Sequence, residues 1–253
     1  MPASQSHAPR DRVTVVNLDR TPERLIQFAR NNPGLPFDRF AAIDGGSRPR
    51  DAWIAAGLIA TGNKYGPGAI GCAASHIALW RQCAAGSTPL HIAEDDAILR
   101  SDFLAVANQM LDGLGNWDIA LWGHNFDWPV QVSNGPGLEP AILLQDVPSL
   151  RSSVLSGRFQ RGGGIPQLLK LVSACGTCCY SVSPRGAQRA LAACVPVGGT
   201  PAAYPRDPNQ TLDNYGIDIE LSRHYAHWDA YVALPPLAVT LNDHAVSTIQ
   251  PAS

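Results

Sequence analysis

The sequence predicts an α/β protein with a mostly parallel central sheet and helices on both faces. Short β-branched or apolar runs alternate with segments whose apolar residues recur at three- and four-residue steps, as in strands that alternate with helices. The clearest helical face lies within residues 69–85. The chain has 253 residues, of which 45% are hydrophobic and 16% charged, a globular composition that can bury a sizeable core. We expect residues 1–253 to form a single domain.

The first half of the predicted sheet comes from two short strands. Residues 13–18 form a β-branched run that predicts a buried strand. A helix to about Arg30 follows, with Thr21 as its N-cap and Pro22 at its first helical position. The second strand is predicted over residues 40–43.

The middle of the chain repeats this alternation. A strand over residues 90–93 follows the helix at 69–85, a helix runs from a cap at Ser101 to about Leu111, and a strand follows at 117–123. Consecutive units of this kind favour parallel strands joined by helices.

Regular patterning is lost from residue 124 to residue 170, which contains five prolines and a run of three glycines. A long irregular stretch is typical of a lid, a binding insertion or a partly disordered segment. Order resumes with a predicted strand at 179–182 and a helix from Ser183 to about Ala193.

Composition argues against several classes of protein. A formal net charge of −2 gives no overall attraction to nucleic acid or to an anionic membrane. No apolar stretch is long enough to predict a transmembrane helix, and residues 1–12 lack the apolar segment of a signal peptide. We therefore expect a cytoplasmic protein with reduced cysteines. Cys175, Cys178 and Cys179 lack the second pair that a zinc site needs, so we interpret them as small buried residues.

Three consecutive carboxylates, Glu94, Asp95 and Asp96, follow the strand at residues 90–93. A divalent cation would relieve their mutual repulsion, and oxygen ligands suit Mn²⁺ or Mg²⁺. The two-residue period of a strand places Glu94 and Asp96 on one side and Asp95 on the other. Open α/β sheets bind their ligands at the carboxyl ends of strands, which favours a functional role for the triplet. The structural alternative is a solvated acidic turn.

Several short blocks occur in one order along most of the chain outside residues 124–170 and the tail. They are Val16-Asn17-Leu18-Asp19-Arg20 with Glu23-Arg24, Phe40-x-Ala42-x-Asp44-Gly45, Gly68-x-x-Gly71-Cys72-x-x-Ser75-His76-x-x-Leu79-Trp80, Glu94-Asp95-Asp96, Gly176-Thr177-x-x-Tyr180-x-x-Ser183 with Gly186-Ala187, and Ile217-Asp218. This order resembles glycosyltransferase family 25, the lipopolysaccharide and collagen-type galactosyl- and glucosyltransferases. The chain departs from the family in residues 124–170 and in lacking a proline before Asp218.

The resemblance implies a GT-A-like fold and a metal-dependent, inverting hexosyltransferase. The donor would be a UDP-sugar, with galactose or glucose as the default sugar, and the acceptor a glycan or glycolipid. It places the protein in lipopolysaccharide or other cell-surface glycan biosynthesis, with at most peripheral association with the inner face of the membrane.

The resemblance also implies roles for the acidic triplet. Asp96 would be the main ligand to Mn²⁺ or Mg²⁺ together with Glu94, and Asp95 would point away or reach the ribose. Many GT-A enzymes complete the metal shell or clamp the diphosphate with a late histidine, which suggests His244, although a loop histidine would look the same.

The residues expected to bind the donor lie after the first two strands and in the first turns of the helix at 69–85. They are Asn17, Asp19, Arg24, Asp44, Gly71, Ser75 and His76. A helix cap at Asp19, a surface arginine at Arg24, close packing at Gly71 and a hydrogen-bonded core histidine at His76 are the structural alternatives.

The general base implied by an inverting family is Asp218, with Asp213 and Glu220 as neighbouring rivals. Residues 147–206 contain arginines and a lysine but no Asp or Glu, and they overlap the irregular segment. We expect residues 124–170 to lie on the acceptor side, with Arg158 and Arg161 binding a negatively charged acceptor. Scattered solvated arginines are the alternative.

Two other functions remain open from the sequence. A sugar nucleotidyltransferase also binds nucleotides through metal-bound carboxylates, but it usually carries a glycine-rich loop after the first strand, and residues 19–22 contain no glycine. A catalytically silent glycan-binding relative is the non-enzymatic alternative, against which the intact acidic triplet argues.

Overall fold

A computed structural model describes residues 10–241, with only the backbone at residue 208. The strands are β1 (Val13–Asn17), β2 (Phe37–Ala41), β3 (Leu90–Glu94), β4 (Ile98–Leu99), β5 (Ile119–Gly123), β6 (Val130–Val132), β7 (Ala141–Leu143), β8 (Gln167–Ser173), β9 (Cys179–Val182), β10 (Ala202–Tyr204), β11 (Asp207–Leu212), β12 (Ala230–Leu234) and β13 (Ala238–Val239). The α-helices are α1 (Pro22–Asn31), α2 (Arg50–Ala55), α3 (Pro67–Ala85), α4 (Phe103–Asp112), α5 (Val147–Leu155), α6 (Arg158–Arg161), α7 (Pro184–Cys194) and α8 (Ile217–Ser222). None of the helices in residues 10–241 combines the length and the apolar character needed to cross a bilayer.

The central sheet has nine strands among the described residues, in the order β2-β1-β3-β9-β5-β12-β8-β6-β7. β1 pairs parallel with β2 and β3, and β12 pairs parallel with β5. β9 is antiparallel to both β3 and β5, so those two strands run in the same direction. β6 and β12 are both antiparallel to β8, so six of the nine strands share one direction. The predicted α/β class is confirmed, with β9 inserted in the opposite sense at the centre.

Helices cover both faces of this sheet. One hydrophobic cluster joins α3, α7 and α8 to the sheet through side chains such as Ile77, Trp80 and Leu121, which are almost fully buried. A second cluster packs α1 and α4 on the opposite face through Phe28 and Phe103. Successive residues of a strand point to opposite faces, so β1 and β3 contribute to both clusters.

Most predicted elements are present with small shifts at their ends. α3 covers the predicted helix and begins two residues earlier, at Pro67. Ser183 caps α7 through a bond from Gly186 N to its side chain, as predicted. The prediction for β2 was displaced, because this edge strand is only half-buried and its apolar residues do not form a run.

Residues 124–170 contain short elements separated by loops. β6 and β7 extend the sheet beyond β8, and α5 and α6 follow them. α6 contacts the segment after β4, where Ser101 N donates to Gln160 O at 2.9 Å. The segment therefore lies against the part of the chain that follows the acidic triplet.

The first turns of α3 pack directly against the loop after β2. A Cβ atom at Gly71 would lie 2.5 Å from Ile43 O and 2.7 Å from Gly45 N, both backbone atoms. Ser75 strengthens the contact, since its hydroxyl accepts from Ile43 N at 2.8 Å and donates to Gly71 O at 2.7 Å. Gly71 is required here by close packing, and Ser75 is hydrogen-bonded within the protein.

Gly71→Ala should destabilise the protein by about 1–3 kcal/mol, because the added methyl group forces α3 away from the loop. The matched control is Gly62→Ala, whose Cβ would have no heavy atom within 4 Å outside its chain neighbours. Urea unfolding of the two variants measures the difference. Equal stabilities would show that the contact at Gly71 relaxes without cost.

Candidate functional site

A solvent-open cleft of about 540 Å³ lies at the carboxyl ends of β1, β2 and β3. Its walls come from the ends of those three strands, from the loop after β2 and from α3. Seven of the residues predicted to form the site line it: Arg24, Asp44, Gly71, Ser75, His76, Glu94 and Asp95. The sheet topology therefore brings together side chains that are up to 71 positions apart in the sequence.

Asp95 forms part of the wall of this cleft, and only 8% of the residue is exposed. Its carboxylate accepts from Asn17 Nδ2 at 2.7 Å and from Arg24 Nε at 2.7 Å. Asn17 is also held by Arg39, which donates from Nε at 3.0 Å to Asn17 Oδ1. Asn17 and Asp95 thus join β1 to the end of β3, and Asn17 does not line the cleft.

Glu94 points into the cleft from the last residue of β3. Its Oε1 accepts a hydrogen bond from the Thr177 hydroxyl at 2.5 Å. Burial and the charge of Asp96 together raise the pKa of Glu94 to about 8, the charge of Asp218 acts in the same direction, and the Thr177 hydrogen bond opposes the shift. Glu94 is therefore a carboxyl group whose charge lacks a full partner among the described residues.

Asp96 is the most exposed member of the triplet, with 43% of its side chain accessible. Arg24 lies 3.4 Å from its Oδ2. Partial desolvation raises the pKa of the Asp96 carboxyl, Arg24 opposes that shift, and the charge of Asp95 adds to it. Asp96 does not line the cleft, and it lies close enough to Glu94 for its charge to affect that carboxyl.

Asp218 lies in the first turn of α8, and Gly176 N donates to its Oδ2 at 2.8 Å. Burial raises the pKa of Asp218, and the backbone hydrogen bonds oppose the shift. The neighbouring residue, Thr177, holds Glu94, so residues 176 and 177 position two carboxylates at once. Asp218 is not in the cleft wall, but its charge raises the pKa of Glu94.

The two rivals of Asp218 have other partners. Asp213 is exposed and accepts from the Tyr215 hydroxyl at 2.8 Å. Glu220 is buried and forms an ion pair with Arg223 at 2.6 Å.

Two predicted donor residues form ion pairs near the surface. Asp19 pairs with Arg39 and is 81% exposed, away from the cleft wall. Asp44 lines the cleft and pairs with Arg20. The hydrogen bond from Gly46 N and the contact with Arg20 lower the pKa of Asp44.

Cys72, His76 and Glu94 offer atoms that all lie within 4.8 Å of one another. Burial raises the pKa of the Cys72 thiol well above its usual range and lowers that of His76 to about 4. The cysteine is then protonated and the histidine neutral at neutral pH. This set has the spacing of a metal site, and burial disfavours the thiolate form in which a cysteine binds a metal.

The basic residues of segment 147–206 fall into two groups in the structure, those in ion pairs and those exposed on α6. Lys170, Arg185 and Arg189 lie near Asp118 or Asp229 in ion pairs. Arg158 and Arg161 are exposed on α6 and do not line the cleft. His244 lies outside the described residues.

Three residues of the site were not assigned from the sequence: Arg20, Cys72 and Thr177. All three occur in the blocks quoted above, and Cys72 precedes His76 by one helical turn. The contacts of Arg20 with Asp44 and of Thr177 with Glu94 are tertiary, so sequence spacing alone gave no role for Arg20 or Thr177.

The fold and the cleft define an α/β protein with a cleft that contains carboxylates at the carboxyl ends of parallel strands. The model of glycosyltransferase family 25 (LPS biosynthesis protein) matches residues 11–207. The match covers well over half of the chain, and the chain belongs to this family of glycosyltransferases. The mixed sheet with helices on both faces is consistent with a GT-A fold. No curated protein matches the chain significantly.

Arg24→Met should destabilise the protein by about 2 kcal/mol, because it leaves the buried Asp95 carboxylate without the guanidinium group that pairs with it. Arg24 retains 21% exposure, which places the loss below that of a fully buried pair. The control is Arg12→Met, which breaks the exposed pair with Asp38 and should change stability by at most about 1 kcal/mol. Urea unfolding compares the two, and equal losses would contradict a special role for the Arg24–Asp95 pair.

Proposed function

We propose that this chain is an inverting glycosyltransferase that moves a hexose, galactose or glucose, from a UDP-sugar to a hydroxyl of a glycan or glycolipid acceptor. The biosynthesis of lipopolysaccharide or another cell-surface glycan is the setting that the family favours. The observation that carries the proposal is the convergence of Asp44, Arg24, His76 and Glu94 in one cleft at the ends of parallel strands.

The cleft offers groups suited to a nucleotide diphosphate. Arg20 reaches its rim with a half-exposed guanidinium group. Gly68, in the first turn of the 19-residue helix α3, also lines it, and a helix N-terminus attracts negative charge. Asp44 pairs with Arg20 at the same rim and provides a carboxylate for ribose or base groups.

The carboxylates fit a divalent cation. Glu94 is the last residue of β3 and Asp96 lies in the turn that follows it, and their mutual repulsion contributes to the raised pKa of Glu94. Hard oxygen ligands of this kind suit Mn²⁺ or Mg²⁺. In the proposal Asp96 and Glu94 hold the cation, which when bound neutralises negative charge on the leaving diphosphate.

Asp218 is the proposed general base. The acceptor oxygen attacks the anomeric carbon, the bond from that carbon to the diphosphate oxygen breaks, and the acceptor proton passes to Asp218. The raised pKa of Asp218 strengthens it as a base. The engagement of Asp213 with Tyr215 and of Glu220 with Arg223 supports this choice.

The acceptor is proposed to approach from the side of residues 124–170. α6 in this segment lies against the chain after β4, and Val154 of α5 shares a hydrophobic cluster with Ile98 of β4, which follows the acidic triplet. Arg158 and Arg161 remain available in this proposal for a negatively charged acceptor, and each is exposed on α6.

A thermal-shift panel of nucleotide sugars with and without Mn²⁺ tests the donor proposal. A ligand at 100 times its Kd stabilises the folded state by about 2.7 kcal/mol. UDP-glucose or UDP-galactose should raise Tm more in the presence of Mn²⁺, and slow hydrolysis of the same compound should be measurable. The donor proposal fails if no UDP compound shifts Tm while another nucleotide sugar does.

Asp218→Asn should reduce kcat by about 10²-fold or more, since it removes the proton acceptor but retains an oxygen that can accept from Gly176 N. Binding of UDP and Mn²⁺ should stay as in the wild type. Asp213→Asn is the control and should retain turnover. Near-normal turnover of Asp218→Asn would transfer the role to another carboxylate.

Asp96→Asn and Asp96→Ala should abolish the stabilisation by UDP that depends on Mn²⁺, because both remove a charged oxygen ligand. Both variants should fold, since Asp96 is exposed and packs little. EDTA should have the same effect on the wild type, and Asp213→Asn should leave the Mn²⁺ effect intact. Full wild-type activity in EDTA would overturn the metal proposal.

A further inference from the structure

His76 receives a hydrogen bond from a buried relay on the α3 face of the sheet. Trp80 Nε1 donates to the Tyr180 hydroxyl at 2.9 Å, and His76 Nδ1 lies 2.8 Å from the same oxygen. The hydroxyl has one hydrogen to donate, and His76 Nδ1 is its remaining partner among residues 10–241. Tyr180 therefore donates to Nδ1. An Nδ1–H ring or an imidazolium would leave the tyrosine hydrogen buried without an acceptor.

The opposite face of β9 carries the same arrangement. Trp122 Nε1 donates to the Ser181 hydroxyl at 2.6 Å, and His91 Nδ1 lies 2.6 Å from that oxygen. His91 Nε2 lies 3.1 Å from Asn108 Oδ1. The same atom accepts from the Nε of Arg10, so the end of the Asn108 side chain that faces His91 is the amide oxygen and not the amide nitrogen. In this second relay the hydrogen on Nε2 has an acceptor inside the protein.

The first relay ends differently. His76 is fully buried and lines the cleft, yet its Nε2 has no hydrogen-bond partner among residues 10–241. Glu94 Oε1 lies 3.9 Å from this nitrogen, too far for a hydrogen bond. Buried polar atoms in native proteins are almost always paired, so an unpaired donor in a cleft wall indicates a ligand that completes it.

We infer that Tyr180, whose hydroxyl accepts from Trp80, is a positioning residue that holds His76 as the Nε2–H tautomer, and that this N–H donates to an oxygen of the bound nucleotide sugar. The identity of the ligand rests on the proposed function, whereas the tautomer does not. With a hydrogen on Nε2, His76 is a hydrogen-bond donor and not a metal ligand, which separates it from Glu94 despite their spacing.

The tautomer can be measured directly in the unliganded wild type. Long-range ¹H–¹⁵N NMR of ¹⁵N-histidine protein distinguishes a protonated ring nitrogen from an unprotonated one, and loss of signals in His76→Gln assigns the ring. His76 should show a protonated Nε2 and an unprotonated Nδ1, with His91 showing the same pattern as an internal reference. A protonated Nδ1 or a metal-bound Nε2 in His76 would overturn the inference.

Tyr180→Phe and Trp80→Phe separate the relay from general packing. Tyr180→Phe removes the donor to Nδ1, so His76 should become a mixture of tautomers while His91 stays unchanged. Trp80→Phe removes a buried indole but keeps the Tyr180–His76 bond, so the Nε2–H tautomer should persist. An unchanged tautomer in folded Tyr180→Phe argues against the relay, and if either variant does not fold the wild-type spectrum still decides.

Ligand binding tests the second half of the inference. His76→Leu removes the donor, whereas His76→Gln places an amide N–H near the position of Nε2. Binding of UDP, UDP-glucose and UDP-galactose should weaken by roughly tenfold or more in His76→Leu and be largely restored in His76→Gln. If His76→Leu binds UDP itself more weakly, the oxygen that accepts from Nε2–H lies in the UDP moiety. If only the binding of the UDP-sugars is weaker, that oxygen lies in the hexose.

Two outcomes distinguish the failures. If the wild type binds a UDP-sugar and His76→Leu binds it equally well, the inference is wrong and the proposed function stands. If the wild type binds none of the three compounds, the proposed donor is wrong and so is the ligand assigned to Nε2–H, while the tautomer is judged by the spectrum.

Discussion

Three consecutive carboxylates at the end of β3 impose the main electrostatic constraint on this fold. Their charges repel one another in a partly desolvated cleft, so each needs a different means of stabilisation. Asp95 is buried against Asn17 and Arg24, Glu94 accepts from Thr177, and Asp96 keeps access to water. These contacts tie β1, α1 and the loop before β9 to one strand end, and they leave Glu94 and Asp96 as the pair whose charge is least compensated.

β9 connects this constraint to the interior. It lies between β3 and β5 in the opposite direction, so its first residue follows directly on the loop that holds Glu94 and Asp218. Tyr180 and Ser181 then place hydroxyl groups on opposite faces of the sheet, each between an indole and an imidazole. A central strand fully paired on both sides is rigid, so the groups it positions are held with little conformational freedom.

Much of the fold was predictable because its signals are local. The apolar face of α3, the cap at Ser183 and the β-branched run of β1 each depend on a few neighbouring residues. The position of β2 was less predictable, because an edge strand with exposed side chains at Asp38 and Arg39 has no regular apolar pattern. The direction of β9 was not predicted either, since strand direction depends on chain segments far apart in the sequence.

The site was predicted as a set of residues rather than as an arrangement. The blocks that carry the family resemblance include Ser75 and Asn17, yet both side chains are hydrogen-bonded within the protein and hold elements together. Conversely, the sequence did not predict a role for Thr177 or Arg20. Thr177 contacts Glu94, 83 positions away, and Arg20 contacts Asp44, 24 positions away. A motif records which residue types occur together, but only the tertiary contacts separate residues that face the ligand from residues that support them.

The same distinction bears on which metal the cleft suits. Spacing alone would group Cys72 and His76 with Glu94, a thiol–imidazole–carboxylate set that suits zinc. The relay through Tyr180 argues against that grouping, because a hydrogen bond from Tyr180 to Nδ1 leaves the imidazole with a hydrogen on Nε2. The ligands in the proposed function are carboxylate oxygens, which favour a hard cation such as Mn²⁺ or Mg²⁺. In the proposed function, His76 on the α3 side would then contact the nucleotide sugar, and the carboxylate oxygens that follow β3 would bind the metal.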